Sequence, residues 1–235
     1  MTSYRYSPGQ ILMLLVSIGF WAVLLNSVTM ACGVIALIAV HEVGHMIAAM
    51  RLGLRVSLPE FNPMGAHVRV VGQRSIEDEA YVKLAGPLVG GLASLSTMLL
   101  GYLLSMPGMF EVGVFGVFLN LLNLIPLDPL DGGALGQLVG RYAWLFGGAV
   151  FLWVFWMLYQ MNPANAVFGA FILMGAIGAY SVRSKQWDHM PEYFTIGGGK
   201  RALLLLAYGL TGLSLYLVYQ NPKLISAFAL AVGLR

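Results

Sequence analysis

Apolar runs of membrane-crossing length alternate with short polar breaks along the whole chain. After a polar, turn-prone start at Met1 to Gln10, the first run extends from Ile11 to about Ser27. The second covers about Met30 to Met50, the third Ala80 to Met106 and the fourth Phe110 to Ile125. The fifth spans Tyr142 to Gln160, the sixth Ala164 to about Val182 and the seventh Arg201 to Tyr219. About twenty apolar residues suffice to cross the hydrocarbon core of a bilayer. Leu224 to Leu234 is only about half that length, which predicts a re-entrant or interfacial tail. The pattern predicts an all-α polytopic membrane protein with about six to seven transmembrane helices.

The breaks carry their own signals. Leu52 to Glu79 is the first long polar connection. Within it, Arg55 to Leu58 and Ala66 to Val71 have β character, and Pro59, Asn62, Pro63 and Gly65 punctuate them. This predicts a small membrane-associated β-hairpin-like element, with His67 as an interfacial histidine. Glu77, Asp78 and Glu79 read as a solvated acidic run. Arg183 to Lys200 reads as a polar loop with a glycine hinge at Gly197 to Gly199. The fourth run breaks at Asn123 to Gly133, where Pro126, Pro129, Gly132 and Gly133 end a helix at membrane depth or its edge. Irregular backbone at that depth survives only where protein or a water-filled cavity covers it. We expect a core over residues 1–141 and a transmembrane extension over residues 142–235.

Composition agrees and narrows the choice. Of 235 residues 59% are hydrophobic and 10% charged, whereas soluble domains carry about a quarter charged residues. The formal net charge of +3 comes without basic patches interleaved with aromatics, so no nucleic-acid partner is expected. The lone Cys32 excludes an intrachain disulfide and is expected as a small buried residue. With a cytoplasmic N-terminus, Arg5, Arg51, Arg55, Arg69, Arg74, Lys83, Arg141, Arg183, Lys185, Lys200 and Arg201 all fall inside. The outer turns carry only Lys223, before the tail. That asymmetry predicts a multi-pass protein of the cell membrane with its N-terminus in the cytoplasm.

The second run contains the chemistry. His41-Glu42-Val43-Gly44-His45 is an H-E-x-x-H pattern on a predicted helix. Histidines four positions apart share one helix face, so both imidazoles reach one metal ion. Glu42 beside them is placed to take a proton from water. Zinc is the expected metal, because imidazole and carboxylate ligands with one open position make a catalytic zinc site. Ionisable groups inside an apolar run are costly, which favours function over buried histidines that merely pair with Glu42. A third protein ligand is required. The carboxylates at the broken end of the fourth run, Asp128 and Asp131, are the candidates.

Two motifs together resemble the site-2 protease family of intramembrane zinc metalloproteases. The first is His41 to His45. The second, N-x-x-P-x-x-x-L-D-G, is met by Asn123, Pro126, Leu130, Asp131 and Gly132, about eighty residues on. Gly86-Pro87 between them is also similar to that family. The resemblance covers about Met30 to Gly140. It implies zinc held by His41, His45 and Asp131, with Glu42 as general base, Asn123 lining the cleft and Asp128 not a ligand. It implies a membrane-spanning protein or peptide as substrate within the lipid bilayer. It says nothing of oligomeric state or of the spans after Gly140.

The expected activity is therefore hydrolysis of peptide bonds in membrane-embedded substrates. A transmembrane helix hides its peptide bonds, so it must unwind locally, and the Leu52 to Val71 region is expected to hold it as an added strand. The competing class is a metal-binding transporter or an inert scaffold. A transporter should show repeated halves with matching broken helices, which are not evident. An inert relative would be expected to lose Glu42 first.

Overall fold

The computed structural model describes residues 7–63, 65–72, 75–140, 142–161 and 165–233. The expected turn at Asn162-Pro163, the basic Arg5, Arg74 and Arg141, and Leu234 lie outside them. Among the described residues the chain is mostly helical.

α1 (Pro8–Leu25) opens with Pro8 in its first turn, and Ser7 Oγ accepts from the Gln10 N–H at 3.3 Å. Asn26 closes it in the left-handed region at φ 51°, a conformation asparagine tolerates. Ser27 then caps α2 (Val28–Arg51) by accepting from the Met30 N–H at 3.2 Å. Each cap satisfies one donor that the first turn leaves unpaired. α3 (Ile76–Leu103) starts with Ser75 Oγ accepting from the Asp78 N–H. Glu77, Asp78 and Glu79 thus occupy its first turn, where acidic side chains favour the positive end of the helix dipole. α4 (Pro107–Asn123) and the short α5 (Asp131–Gln137) follow. Next come α6 (Ala143–Met161), α7 (Asn165–His189), a 3-10 turn at Pro191–Phe194, α8 (Gly198–Gln220) and α9 (Lys223–Ala231).

α1, α2, α3 and α8 are long and apolar enough to cross a membrane, while α4 and most of α6 are shorter apolar helices. The nine residues of α9 are too few to cross, as the tail's length indicated.

Between α2 and α3, four short strands form two antiparallel ladders. β1 (Arg55–Val56) pairs with β4 (Val70–Val71), and β2 (Glu60–Asn62) pairs with β3 (Gly65–His67). Pro59, without an N–H to give, stands between them. There Ser57 bridges the gap, donating its N–H to the Arg69 carbonyl and accepting the Arg69 N–H on Oγ, both at 3.0 Å. The expected hairpin is thus one hairpin broken in the middle. His67 is exposed on β3.

The chain forms two compact units whose segments interleave. One comprises Met1–Gly72, Ala85–Leu121 and Leu213–Arg235, the other Gln73–Leu84 and Leu122–Gly212. In the first unit, Trp21 of α1 is 2% exposed and meets Phe115 of α4 edge-on at 5.8 Å. Small residues set the helix spacing. A side chain at Gly116 would strike Leu37 Cδ1 and Ser94, and one at Gly33 would lie 2.7 Å from Val112. Close approach through small residues is how helices pack where lipid gives no hydrophobic drive. In the second unit, Trp187 stacks on Phe194 at 3.8 Å, and its Nε1–H donates to Gln137 Oε1 at 2.6 Å.

Three expectations need correction. The acidic run is not wholly solvated, since Glu79 is buried against Arg183 and Tyr193. The polar loop expected from Arg183 is helix as far as His189, because Arg183 and Trp187 have partners inside the unit. Cys32 is exposed. A lipid-facing helix surface is apolar too, so apolar character alone did not report burial.

Candidate metal centre

The centre is assembled in the first unit from the middle of α2. His41, Glu42 and His45 are 6%, 8% and 3% exposed. One helical turn separates the two imidazoles, and their Nε2 atoms converge to 3.0 Å with the rings at 83°. One ligand atom from each of the three residues lies within 4.8 Å of the others.

Asn120, one turn before the end of α4, sets the protonation of this pair. Its Nδ2 donates to the Gly116 carbonyl at 2.8 Å, which fixes the amide so that Oδ1 faces His41. His41 Nδ1–H donates to that oxygen at 2.9 Å. The proton therefore sits on Nδ1 and the Nε2 lone pair is bare. The two Nε2 atoms, 3.0 Å apart, are close enough to share a hydrogen bond or to turn to one metal ion. The donor set of two imidazoles and neighbouring carboxylate chemistry fits zinc.

Glycines make the room. Gly44 lies so close to α3 that a Cβ there would be 2.6 Å from the Ala85 carbonyl oxygen and 2.9 Å from Val89 Cβ. A Cβ on Gly86 would fall 2.7 Å from His41 Nε2 and nearer still to the His45 ring. One on Gly90 would lie 2.9 Å from His41 Cβ and would strike Asn120. Gly86 and Gly90, one turn apart on α3, thus form a bare strip under the imidazoles. Pro87 beside them has no N–H to give the carbonyl four residues back, which loosens the helix there. Gly86→Ala is expected to cost about 1–3 kcal/mol through overpacking and to lower zinc content. Unchanged melting and unchanged zinc by elemental analysis would show that the strip has space to spare.

Glu42 Oε2 accepts the Val68 N–H at 2.9 Å. That bond ties the carboxylate to the hairpin immediately after β3.

The other sequence-predicted residues fall in the second unit. Asp131 is the first residue of α5, 4% exposed, and its Oδ1 accepts from Lys83 Nζ at 3.0 Å. Asn123 is the last residue of α4 and half-buried. Asp128, a candidate ligand by its position and not a ligand by the family resemblance, is paired with Arg183. The functional residue that sequence reasoning missed is Asn120. Its signal was present: an amide in an apolar helix, three residues before Asn123 and on nearly the same face.

The chain thus combines helices long and apolar enough to cross a membrane with a buried His-Glu-x-x-His group that could hold a metal ion. Residues 29–116, which include the His41 to His45 motif, Gly86 and Gly90, match the model of peptidase family M50. The "Probable zinc metalloprotease EGY2, chloroplastic" proteins of Oryza sativa subsp. indica and subsp. japonica are each 38% identical over 76 residues. That stretch is 29% of this chain and 14% of each relative.

Proposed function

We propose that the chain is an intramembrane zinc metallopeptidase that hydrolyses peptide bonds of membrane-embedded protein substrates. The observation that carries the reading is the buried Glu42, oriented by the Val68 N–H beside two imidazoles whose Nε2 atoms converge. His41, His45 and Asp131 would hold zinc. When bound, zinc acidifies a water molecule and polarises a scissile carbonyl. Glu42 takes the proton from the attacking water and delivers it to the leaving amine. Asn120 holds the His41 ring in the tautomer that keeps Nε2 bare, and Asn123 lines the substrate cleft.

Among the described residues, each strand of the β1/β4 ladder has one strand partner and therefore one open edge. An unwound substrate segment adds there as a further strand. The direct test is the protein in vesicles with a membrane-embedded substrate. Cleavage should stop on chelation and return with zinc. Cysteines near Arg55 or Val71 should cross-link to the substrate close to the scissile bond. Cleavage that persists without metal overturns the reading.

The polytopic protein sits in the cell membrane with six to seven spans and a cytoplasmic N-terminus, as the lysine and arginine asymmetry supports. With Cys32 removed, single cysteines near Arg69 and Lys185 should label only from the cytoplasm, and one near Asn162 only from outside. Labelling of the Arg69 and Asn162 positions from one face would break this topology.

A further inference from the structure

Within the second unit, a partly buried arginine from the region after Gly140 grips the chain just before Asp131. Arg183 of α7 has five N–H donors, and the structure uses all of them. Nη1 and Nη2 donate to Glu79 Oε2 and Oε1 at 2.8 and 2.6 Å. Nε and Nη2 donate to Asp128 Oδ2 and Oδ1 at 3.3 and 3.2 Å, and Nη1 also donates to Gln186 Oε1 at 3.1 Å. Tyr193 O–H donates to Glu79 Oε2 at 2.8 Å. The side chains of Arg183, Glu79 and Asp128 are 13%, 11% and 18% exposed. With every donor engaged, the guanidinium has no capacity left for a ligand anion. What it does is join the first turn of α3 to the broken segment before α5.

That segment leads straight to Asp131. Leu127, between Asp128 and the break, and Leu130 are buried, and the Leu130 N–H donates to the Leu127 carbonyl at 2.9 Å. Asp128 itself packs on the first turn of α5, where a Cβ on Gly133 would lie 2.6 Å from both Asp128 N and Oδ1. One turn along α3 from Glu79, Lys83 holds Asp131 Oδ1 directly. The same helix face thus grips the segment twice, at Asp131 through Lys83 and at Asp128 through Arg183.

We propose that Arg183 is a positioning residue: by fixing Asp128 against the start of α5 it presents the Asp131 carboxylate for the metal. This rests on the reading of Asp131 as a zinc ligand. It gives the helices after Gly140 a role in the metal site. An arginine is required, because a lysine has three donors for the five acceptors and cannot fork onto two carboxylates.

The test uses the full-length purified chain, with zinc affinity measured by chelator competition and the visible spectrum recorded after cobalt loading. Arg183→Gln should weaken zinc about 10- to 100-fold, the range for residues that orient a ligand. Its cobalt spectrum should move toward that of Asp131→Ala. Arg183→Lys should not rescue. Asp128→Asn cuts only one arm and leaves the Arg183–Glu79 pair, so it should fold and weaken zinc severalfold. If Arg183→Gln does not fold, Arg183→Lys and Asp128→Asn decide the matter. Variants that melt lower yet bind zinc and cobalt as the parent does would show a purely structural role and overturn the proposal. If instead the parent chain takes up no zinc, or Asp131→Ala binds it unchanged, the ligand reading itself has failed and this inference falls with it.

Discussion

Glu42→Gln is expected to retain about one zinc per chain and to lose nearly all peptide hydrolysis, a fall of at least about 10²- to 10⁴-fold. Glutamine keeps the length of the side chain and one oxygen to accept the Val68 N–H, which the structure places at 2.9 Å. It lacks the basicity to take a proton from water. His41 and His45 keep their convergence, because the Asn120 bond that fixes His41 does not involve Glu42. Metal content by elemental analysis should therefore match the parent, while cleavage of a membrane-embedded substrate should not. Persistent cleavage by Glu42→Gln would end the mechanism proposed here. Loss of zinc would instead make Glu42 part of the metal's hold.

The same residue shows what a sequence can and cannot display. His41, Glu42 and His45 were legible because their relation is local: four residues of helix fix which side chains share a face. The small-residue packing of α3 was legible in outline from its glycines, and Gly86 proved to sit under the imidazoles. The partners of these residues come from far along the chain, and no local rule finds them. Asn120 lies 79 positions from His41, and Arg183 lies 104 positions from Glu79. Read alone, Glu77-Asp78-Glu79 is three acids at a helix start. Only the distant arginine explains why one of them is buried. The burial of this ion pair also raises its stakes, since removing one partner of a buried pair typically costs roughly 3–5 kcal/mol.

Hydropathy located helices better than it located their ends. α3 begins at Ile76, four residues before the apolar run, because Ser75 caps it and its acidic first turn suits the dipole. α7 continues to His189, past the last apolar residue of the run, because its polar end is satisfied inside the unit by Glu79, Asp128 and Gln137. The short α5 was invisible to the same reading. Its seven residues include three glycines, a composition of weak helix propensity, yet every one of them is buried. Tertiary packing outweighs propensity there. A side chain at Gly132 would strike the Leu124 and Ile125 carbonyls, and one at Gly133 would strike Asp128. The glycines that make α5 a poor helix by propensity are what let it fold back on the segment before it.

Asp131→Ala should then lose zinc affinity and activity together. The replaced carboxylate is 4% exposed and opens α5, and its removal leaves the two imidazoles of α2 as the proposed hold on the metal. Two ligands do not complete a catalytic zinc site. The change also removes the contact in which the Lys83 ammonium donates to Asp131 Oδ1 at 3.0 Å. Part of any loss would be stability rather than coordination, so melting must be recorded beside metal content. Asp131→Asn separates the two. It keeps the shape and one oxygen for Lys83 but removes the negative charge, so it should fold better than the alanine variant while still binding zinc poorly. Asp128→Asn, on the same segment, should weaken zinc only severalfold, because its carboxylate pairs with Arg183 and would act on the metal only through the position of Asp131. The ordering of zinc content expected is parent, then Asp128→Asn, then Asp131→Asn and Asp131→Ala. If replacing Asp128 empties the site while Asp131→Ala keeps its metal in a folded chain, the third ligand has been assigned to the wrong carboxylate.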